Sequence, residues 1–398
     1  MILLSLIFCL VVAILSIPVI IFFVQIVMAL LPTAKLSLVN KTSKLAVQQT
    51  VAILIPAHNE STGITQTLLS IQAQITANII ILVVADNCND DTAEVAKRHG
   101  AEVIERFHET KRGKGFALDF GLQYLAKNPP QLVLILDADC LLGEHAIAAL
   151  VADVSQYKRP IQGLYLMHAK PDAPLKTKLA AFAWAVKNWA RPLGFHRLGL
   201  PCQLMGSGMA FPWVVISQVN LASGHIVEDM KLGVDLAKIS FAPRFCPAAL
   251  ITSQFPSSEE GIKTQRTRWE HGHIGMIVKE GLPLIWQSIK QTNLNMFTLA
   301  LDMCVPPLAL LVLIIALFSI IGVALCLWTQ QIFPWAWILV DLLVVAVTVM
   351  LAWFKFGRDI VAFTVLLTAP FYVLTKIPLY IKFIFKRQSE WVRSKRDN

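Results

Sequence analysis

The chain has 398 residues, of which 56% are hydrophobic and only 15% are charged. This is too apolar for an ordinary soluble protein, in which about half of the residues are apolar and about a quarter are charged, so the composition indicates a membrane protein. Many of the basic residues behind the net charge of +9 flank apolar runs, which is typical of contact with anionic lipid and disfavours nucleic-acid binding.

Three parts of the sequence are candidates for membrane insertion. The first 34 residues carry no charge and can form one spanning helix, which we interpret as an anchor and not as a cleaved signal peptide. A second uncharged run, residues 303–340, is divided into two predicted spans by a turn at residues 330–334. Residues 360–385 are apolar but contain Pro370 and Pro378, so we expect a re-entrant or interfacial segment there.

Basic residues indicate the orientation, because Lys and Arg accumulate in cytoplasmic loops. Five of them follow the first and third predicted spans: Lys35, Lys41, Lys44, Lys355 and Arg358. The polar region between the first and second spans is therefore expected in the cytoplasm. The basic tail, residues 386–396, is expected on the same side if residues 360–385 do not cross the membrane.

The polar region alternates predicted strands with predicted helices. Short β-branched runs predict strands at residues 51–55, 79–84, 102–104 and 132–136. Helical spacing of apolar residues predicts helices at residues 63–74, 91–99 and 116–126. The alternation predicts a parallel sheet, in which ligands bind beyond the carboxyl ends of the strands. Three polar clusters should therefore meet at one edge: residues 56–60, 86–90 and 137–139.

Two of these clusters contain carboxylates with possible binding roles. Asp137 and Asp139 follow a buried strand, and two carboxylates at this spacing can hold a hard divalent cation that also binds diphosphate. A polar strand end that caps a helix or meets solvent is the alternative. Asp86 and Asn87 can bind a base or ribose, although an Asx-turn is the favoured explanation when the pair is taken alone.

A glycine loop and two later motifs add charge and aromatic side chains. Residues 112–115 (RGKG) suit phosphate through backbone N–H groups and Lys114, or form a surface turn. Glu228 and Asp229 can supply a general base for an acceptor hydroxyl, or an acidic pair at a helix N-terminus. Three residues that share a helical face can bind diphosphate and stack on a sugar, or anchor a membrane-interface helix: Gln265, Arg268 and Trp269.

For other polar residues in apolar surroundings, the sequence allows more than one role. Asp302 and Asp341 could line an acceptor path or form hydrogen-bonded helix contacts, since carboxylates in a membrane are costly and often functional. His271 and His273 form an HxH without a further ligand at zinc-site spacing, which disfavours a zinc site.

In their order along the chain, six motifs resemble those of the membrane-bound family 2 glycosyltransferases: IPAHNE (55–60), VVADNCNDDT (83–92), RGKG (112–115), DAD (137–139), ED (228–229) and QRTRW (265–269). The likeness runs from about residue 51 to residue 273 and is strongest to bacterial exopolysaccharide enzymes. It implies an α/β GT-A domain inserted between transmembrane helices. The expected division is an anchor (1–34), a cytoplasmic GT-A domain (45–255), QxxRW and interface helices (256–302), and a C-terminal membrane region with a basic tail (303–398).

The resemblance also implies roles for individual residues. The nucleotide-sugar, expected to be a UDP-sugar, would contact Pro56, Glu60, Asp86, Lys114 and Asp137. Asp137 and Asp139 would hold Mg2+ or Mn2+. Asp229, beside Glu228, would be the catalytic base of an inverting reaction. The acceptor and diphosphate site would contain Gln265, Arg268 and Trp269.

We therefore expect transfer of a sugar to a lipid-linked saccharide at the bacterial inner membrane, in polysaccharide or glycolipid biosynthesis. Polymer-extruding enzymes normally have more spans than the three or four predicted here, whereas QxxRW is more usual in processive enzymes. A processive polysaccharide synthase thus stays open as an alternative. A membrane scaffold subunit of an assembly complex is the alternative without catalysis.

Overall fold

A mixed α/β domain lies between apolar helices in the chain. The structure, a computed structural model, describes residues 2–32, 49–256 and 258–385. The predicted orientation signals at Lys35, Lys41 and Lys44 and in the basic tail lie outside these residues.

Eight strands form one sheet at the centre of the α/β domain. They are β1 (Val51–Ala57), β2 (Ile79–Asp86), β3 (Glu102–Arg106), β4 (Leu132–Ile135), β5 (Leu141–Leu142), β6 (Ile161–His168), β7 (Met209–Pro212) and β8 (Arg244–Gln254). Their order is β3-β2-β1-β4-β7-β6-β8-β5. The four predicted strands are confirmed as the parallel half, β3 to β4. Strand β7 runs antiparallel to both β4 and β6, so the complete sheet is mixed.

Helices surround the sheet and continue from it toward the C-terminal region. In the α/β domain they are α2 (Ile64–Gln72), α3 (Thr92–Arg98), α4 (Lys114–Leu125), α5 (Ala146–Tyr157), α6 (Leu175–Ala185), α7 (Arg191–Arg197), α8 (Trp213–Ile216) and α9 (Glu228–Lys238). After β8 come α10 (Glu259–Met276), α11 (Leu282–Lys290) and α12 (Leu294–Met303). A π-helical turn, Val186–Ala190, joins α6 to α7.

The central strands are apolar on both faces because helices cover both. In β1, Ile53 and Ile55 belong to one buried cluster, whereas Leu54 belongs to the other. This is the pattern of a parallel strand inside an α/β sheet, and it explains the continuous apolar runs in the sequence. The polar residues are left at the strand ends, where the candidate site lies.

Three helices in the described residues are long and apolar enough to cross a membrane. They are α1 (Ile2–Leu30), α13 (Leu308–Thr329) and α14 (Phe333–Ala352). The predicted division of the second apolar run is confirmed. The uncharged run ends at Val340, but α14 continues through Asp341. The buried Asp341 accepts a hydrogen bond of 2.8 Å from the Ser16 hydroxyl of α1, so its carboxylate has a partner inside the helix bundle.

Residues 360–385 are broken into short helices, as the two prolines predict. These are α15 (Phe363–Leu366), α16 (Ala369–Leu374) and α17 (Ile377–Phe385). Pro370 and Pro378 each lie in the first turn of a helix, where proline is tolerated. A re-entrant or interfacial location of this segment stays a prediction.

A buried polar cluster joins α1 to the α/β domain and to α12. Arg191, at the start of α7, donates to Gln25 Oε1 of α1 at 2.8 Å and to Asp302 Oδ1 of α12 at 2.7 Å. The Gln25 amide also donates to Asp302 Oδ1 at 2.6 Å. Helices α1 and α7 approach so closely that a Cβ at Gly194 would overlap the Gln25 carbonyl oxygen. Asp302 and Asp341 therefore both form helix contacts, one of the two roles that the sequence left open.

Candidate active site

A cavity of about 230 Å³ opens at the carboxyl ends of β1, β2 and β4. Every residue that the sequence analysis assigned to the site lines this cavity: Pro56, Glu60, Asp86, Lys114, Asp137, Asp139, Glu228, Asp229, Gln265, Arg268 and Trp269. We call it the donor cavity. The parallel half of the sheet brings the residues at its strand ends to one edge, and helices α9 and α10 add the later residues.

The carboxylate pair after β4 fits a hard divalent cation. Ligand atoms of Asp137, Asp139 and Cys140 all lie within 4.8 Å of one another. Cys140 is buried, and burial raises the pKa of its thiol well above the usual value, so sulfur stays protonated and is a poor metal ligand. The two carboxylates remain as oxygen ligands. That donor set suits Mg2+ or Mn2+ better than zinc.

Lys114 lies in the first turn of α4, two residues before the predicted start of that helix. Its ammonium pairs with Asp137, donates to the Gly206 carbonyl at 2.7 Å and lies 4.0 Å from Glu228 Oε1. Burial alone would lower the pKa of Lys114, but Asp137 and Glu228 raise it above its ordinary value. Lys114 is therefore a fixed positive charge beside the carboxylate pair.

The backbone around Lys114 is held by a close approach. A Cβ at Gly115 would lie 2.6 Å from the carbonyl oxygens of both Leu221 and Ser223. The first turn of α4 thus packs directly against the loop that leads to α9. This contact links the position of Lys114 to the position of the acidic pair at the start of α9.

Glu228 and Asp229 begin α9, so they form an acidic pair at a helix N-terminus and also line the donor cavity. Burial raises the pKa of Glu228 to about 7, and the nearby Lys114 opposes this rise. Asp229 Oδ1 accepts from the backbone N–H of Met230 at 2.8 Å. The pair can therefore be an acidic helix N-terminus and also supply a general base.

Asp86 is fixed at the end of β2 by three neighbouring side chains. Its carboxylate pairs with Arg106 of β3 and accepts from Asn87 Nδ2 at 3.0 Å. The ring nitrogen Nδ1 of His58 lies 2.7 Å from the Asp86 carbonyl oxygen. These contacts hold the Asp86 carboxylate in one orientation at the carboxyl end of β2.

Helix α10 places the predicted QxxRW residues Gln265, Arg268 and Trp269 in the lining of the donor cavity. The ring of Trp269 lies 4.6 Å from that of Trp184, centroid to centroid. The Arg268 Nε is buried and has no hydrogen-bond partner among the described residues. This N–H can therefore donate to a ligand acceptor in the donor cavity.

Among the described residues, sequence reasoning missed several that line the cavity, including Tyr165, Trp184, Lys187 and Asn188. Three of them, Trp184, Lys187 and Asn188, have helical i, i+3, i+4 spacing, which is the signal that could have identified them. Lys187 and Asn188 lie in the π-helical turn, a feature that often occurs at functional sites.

The HxH histidines contact separate elements. Nε2 of His271 lies 3.0 Å from the Leu379 carbonyl oxygen, and Nε2 of His273 lies 2.9 Å from that of Met303. Their side chains therefore join α10 to α17 and to α12.

A sequence model of the family described as "Glycosyltransferase like family 2" matches residues 48–272. The chain belongs to this family. The predicted membership is confirmed, and the mixed sheet with its carboxylate pair is the GT-A fold of family 2, flanked by apolar helices as expected.

Two relatives illustrate the range of family 2. The 4,4'-diaponeurosporenoate glycosyltransferase of Staphylococcus haemolyticus (strain JCSC1435) is 26% identical over 239 residues, 56% of this chain and 60% of that protein. The poly-beta-1,6-N-acetyl-D-glucosamine synthase of Staphylococcus epidermidis is 22% identical over 259 residues, 63% of this chain and 60% of that protein. The chain thus spans about 60% of the length of these two relatives.

One solved structure covers most of the chain at low similarity. The mannosyltransferase PcManGT from Pyrobaculum calidifontis, in complex with GDP-Man and Mn2+, has a TM-score of 0.43 and 15% sequence identity to this protein. The match covers 86% of this chain and 99% of that one.

Proposed function

We propose that this protein is an inverting glycosyltransferase that moves a sugar from a nucleotide-diphosphate sugar to a lipid-linked saccharide, on the cytoplasmic side of the bacterial inner membrane. One observation carries the proposal. A carboxylate pair fit for a divalent cation, a fixed lysine and a second acidic pair all line one cavity at the edge of a family 2 domain. This is the set of charges that is needed to transfer a sugar from a nucleotide-diphosphate sugar to a hydroxyl.

The donor is held by the residues on the sheet side of the cavity. Asp137 and Asp139 would hold Mg2+ or Mn2+, which when bound neutralises the diphosphate and stabilises it as a leaving group. Lys114 and the backbone N–H groups at the start of α4 bind diphosphate oxygens. Asp86 accepts hydrogen bonds from the ribose or base, while Pro56 and Glu60 form the adjoining wall.

Residues on the opposite wall of the donor cavity also stabilise the negative charge of the leaving diphosphate. The unpartnered Nε of Arg268 donates to a diphosphate oxygen, and Gln265, on the same helical face, contacts the acceptor. Trp269 and Trp184 exclude water and give an aromatic surface to the acceptor sugar. Water exclusion favours transfer over hydrolysis of the donor.

Asp229 acts as the general base. It takes the proton of the acceptor hydroxyl while that oxygen forms a bond to the anomeric carbon. The bond from this carbon to the diphosphate breaks on the opposite side, and its electron pair leaves with the diphosphate, so the configuration is inverted. Glu228, with a pKa of about 7, carries a proton for much of the time near neutral pH and limits the negative charge beside Asp229.

The membrane helices support an acceptor that is held in lipid. Helix α10 carries the acceptor-side residues and leads through α11 and α12 to α13, the second candidate span. A processive polysaccharide synthase is the second candidate function, favoured by the QxxRW residues and by the similarity to a polymer synthase. Product length distinguishes the two.

Release of nucleoside diphosphate by the purified protein tests the function. The assay screens nucleotide-sugars with Mg2+ or Mn2+, then with EDTA, and with membrane lipid extract as acceptor. We expect metal-dependent release from one donor, lost in Asp139→Ala and Asp229→Asn and kept in Asp172→Asn, which changes an exposed loop carboxylate. Full activity of either site variant would refute the mechanism, and complementation of a null strain by Asp229→Asn would favour the scaffold alternative.

A further inference from the structure

A second cavity, of about 140 Å³, adjoins the donor cavity. Trp184, Lys187 and Trp269 line both, so the tryptophan pair forms a partition between them. On its far side the second cavity reaches Phe22 of α1 and Leu308 of α13, two of the helices long enough to cross a membrane. It therefore connects the catalytic site with the membrane-embedded part of the protein.

The lining of this second cavity is mostly apolar. The apolar side chains include Phe22, Ala183, Leu308 and Leu311. Its volume is below the roughly 300 Å³ of a small-molecule pocket. An apolar space of this size can hold part of one hydrocarbon chain, but not a whole lipid or a saccharide.

Most of the charged side chains in this cavity already have partners. Arg191 pairs with Asp302, and Lys376 pairs with Glu270. His273 lies against the Met303 carbonyl oxygen, and burial lowers its pKa to about 3, so the ring is neutral. These groups have their hydrogen bonds without any ligand.

Lys187 differs from the other cations of the cavity. Its ammonium lies 5.7 Å from the centre of the Trp184 ring, and it forms no ion pair with a carboxylate of the described residues. Burial lowers the pKa of Lys187, which means that its charge is costly in this position. An anion placed beside it would remove that cost and would lie between the two cavities.

We propose that the second cavity binds the hydrocarbon chain of a single-chain lipid phosphate and that Lys187 binds its phosphate group. This inference rests on the proposed function, since the lipid phosphate is the membrane-bound part of the acceptor. The chain lies toward α1 and α13, the phosphate lies at the partition, and the part to be glycosylated extends past Trp184 and Trp269 toward Asp229. The cavity thereby selects acceptors by charge as well as by their apolar chain.

Equilibrium binding of farnesyl phosphate to the full chain in phosphatidylcholine nanodiscs tests the inference, with empty nanodiscs subtracted and no donor present. We expect saturable binding of farnesyl phosphate. Three competitors should bind at least roughly tenfold more weakly than farnesyl phosphate. Farnesol lacks the charge, inorganic phosphate lacks the chain, and phosphatidic acid lacks the single-chain shape. Lys187→Gln should weaken binding by roughly tenfold, and Lys187→Arg should restore most of it.

Two further variants separate the cavity from a general effect of charge. Ala183→Phe fills the second cavity and should abolish saturable binding. Lys279→Gln removes an exposed charge outside both cavities and should bind as the unmodified protein does. Binding of nucleoside diphosphate with Mn2+ to the same Ala183→Phe preparation reports that the fold is intact.

The outcomes distinguish the two proposals. Absence of nucleoside diphosphate binding in the unmodified protein contradicts the proposed function. If nucleoside diphosphate binds normally, three results overturn the inference but leave the proposed function standing. They are farnesyl phosphate binding that does not saturate, equal competition by farnesol or phosphatidic acid, and full farnesyl phosphate binding by Lys187→Gln or Ala183→Phe.

Discussion

Lys114 and Asp137 form an ion pair on the floor of the donor cavity, so a divalent cation and a lysine compete for one carboxylate. The Lys114 ammonium is also held by the Gly206 carbonyl at 2.7 Å. A cation bound to Asp137 would lie close to this ammonium, and like charges at such a distance repel. Diphosphate relieves the repulsion because it accepts from Lys114 and contacts the metal as well. We therefore expect metal and nucleotide to bind cooperatively.

The first prediction is that Lys114→Met separates metal binding from nucleotide binding. Without the competing ammonium, Mn2+ alone should bind several-fold more tightly. UDP with saturating Mn2+ should bind roughly tenfold more weakly or worse, because a charge-assisted contact to diphosphate is lost. Titration followed by Mn2+ electron paramagnetic resonance, with and without UDP, measures both. The control is Lys111→Met, which changes an exposed lysine in the same loop. Unchanged Mn2+ affinity in Lys114→Met would contradict the competition.

The second prediction concerns the acidic pair and pH. Burial raises the pKa of Glu228 from 4.5 to about 7, so the folded protein binds more protons than the unfolded chain between these values. Stability should fall as pH rises from about 4.5 to about 7, by at most about 3 kcal/mol from this group. Glu228→Gln stays neutral and should lack this fall.

Thermal unfolding in EDTA measures the effect of Glu228. The midpoint temperature of Glu228→Gln should match that of the unmodified protein near about pH 4 and exceed it by several degrees near about pH 8. Glu94→Gln changes an exposed helical carboxylate and should keep a constant difference at both values. The raised pKa is refuted if Glu228→Gln also keeps a constant difference.

The residues at the strand ends could be predicted because they follow directly from parallel strands, whereas the acidic pair and the QxxRW residues could be predicted only from their motifs and the family resemblance. Asp86 and Asp137 come one or two residues after apolar runs, and the sheet edge brings them together. The second half follows no such rule, because β7 is inserted between β4 and β6 and runs antiparallel to both. Trp184 and Lys187 reach the cavity only through that arrangement, and in the sequence they lie in a mostly apolar helical run. The partners Gln25 and Ser16 were equally invisible, since single polar residues in α1 do not identify their contacts.

The third prediction tests the contact that positions Lys114. Glycine in a helix is normally less stable than alanine by about 0.5–1 kcal/mol, so a helical Gly→Ala change should stabilise unless a neighbour is too close. At Gly115 a Cβ would lie 2.6 Å from two backbone carbonyl oxygens, which cannot move without shifting the loop before α9. Gly115→Ala should therefore lower the unfolding midpoint by several degrees, as overpacking costs about 1–3 kcal/mol, and should also weaken UDP binding.

Gly224 provides the matched control for Gly115. A Cβ there would meet only Phe116 Cε2 at 3.8 Å, an ordinary contact, so Gly224→Ala should unfold close to the unmodified protein. Equal midpoints for Gly115→Ala and Gly224→Ala would contradict the close approach of α4 to the loop.

The fourth prediction tests whether Asp302 serves as a helix contact. Asp302→Leu would leave Arg191 buried without its carboxylate, and breaking a buried pair in this way costs about 3–5 kcal/mol. The triple variant Gln25→Leu, Arg191→Met, Asp302→Leu removes every member of the cluster, and such replacements are often neutral or stabilising. Its unfolding midpoint should therefore lie well above that of Asp302→Leu. If the triple variant unfolds at or below the midpoint of Asp302→Leu, Asp302 stabilises the protein through something other than Arg191 and Gln25. That result would favour the acceptor-path role of Asp302.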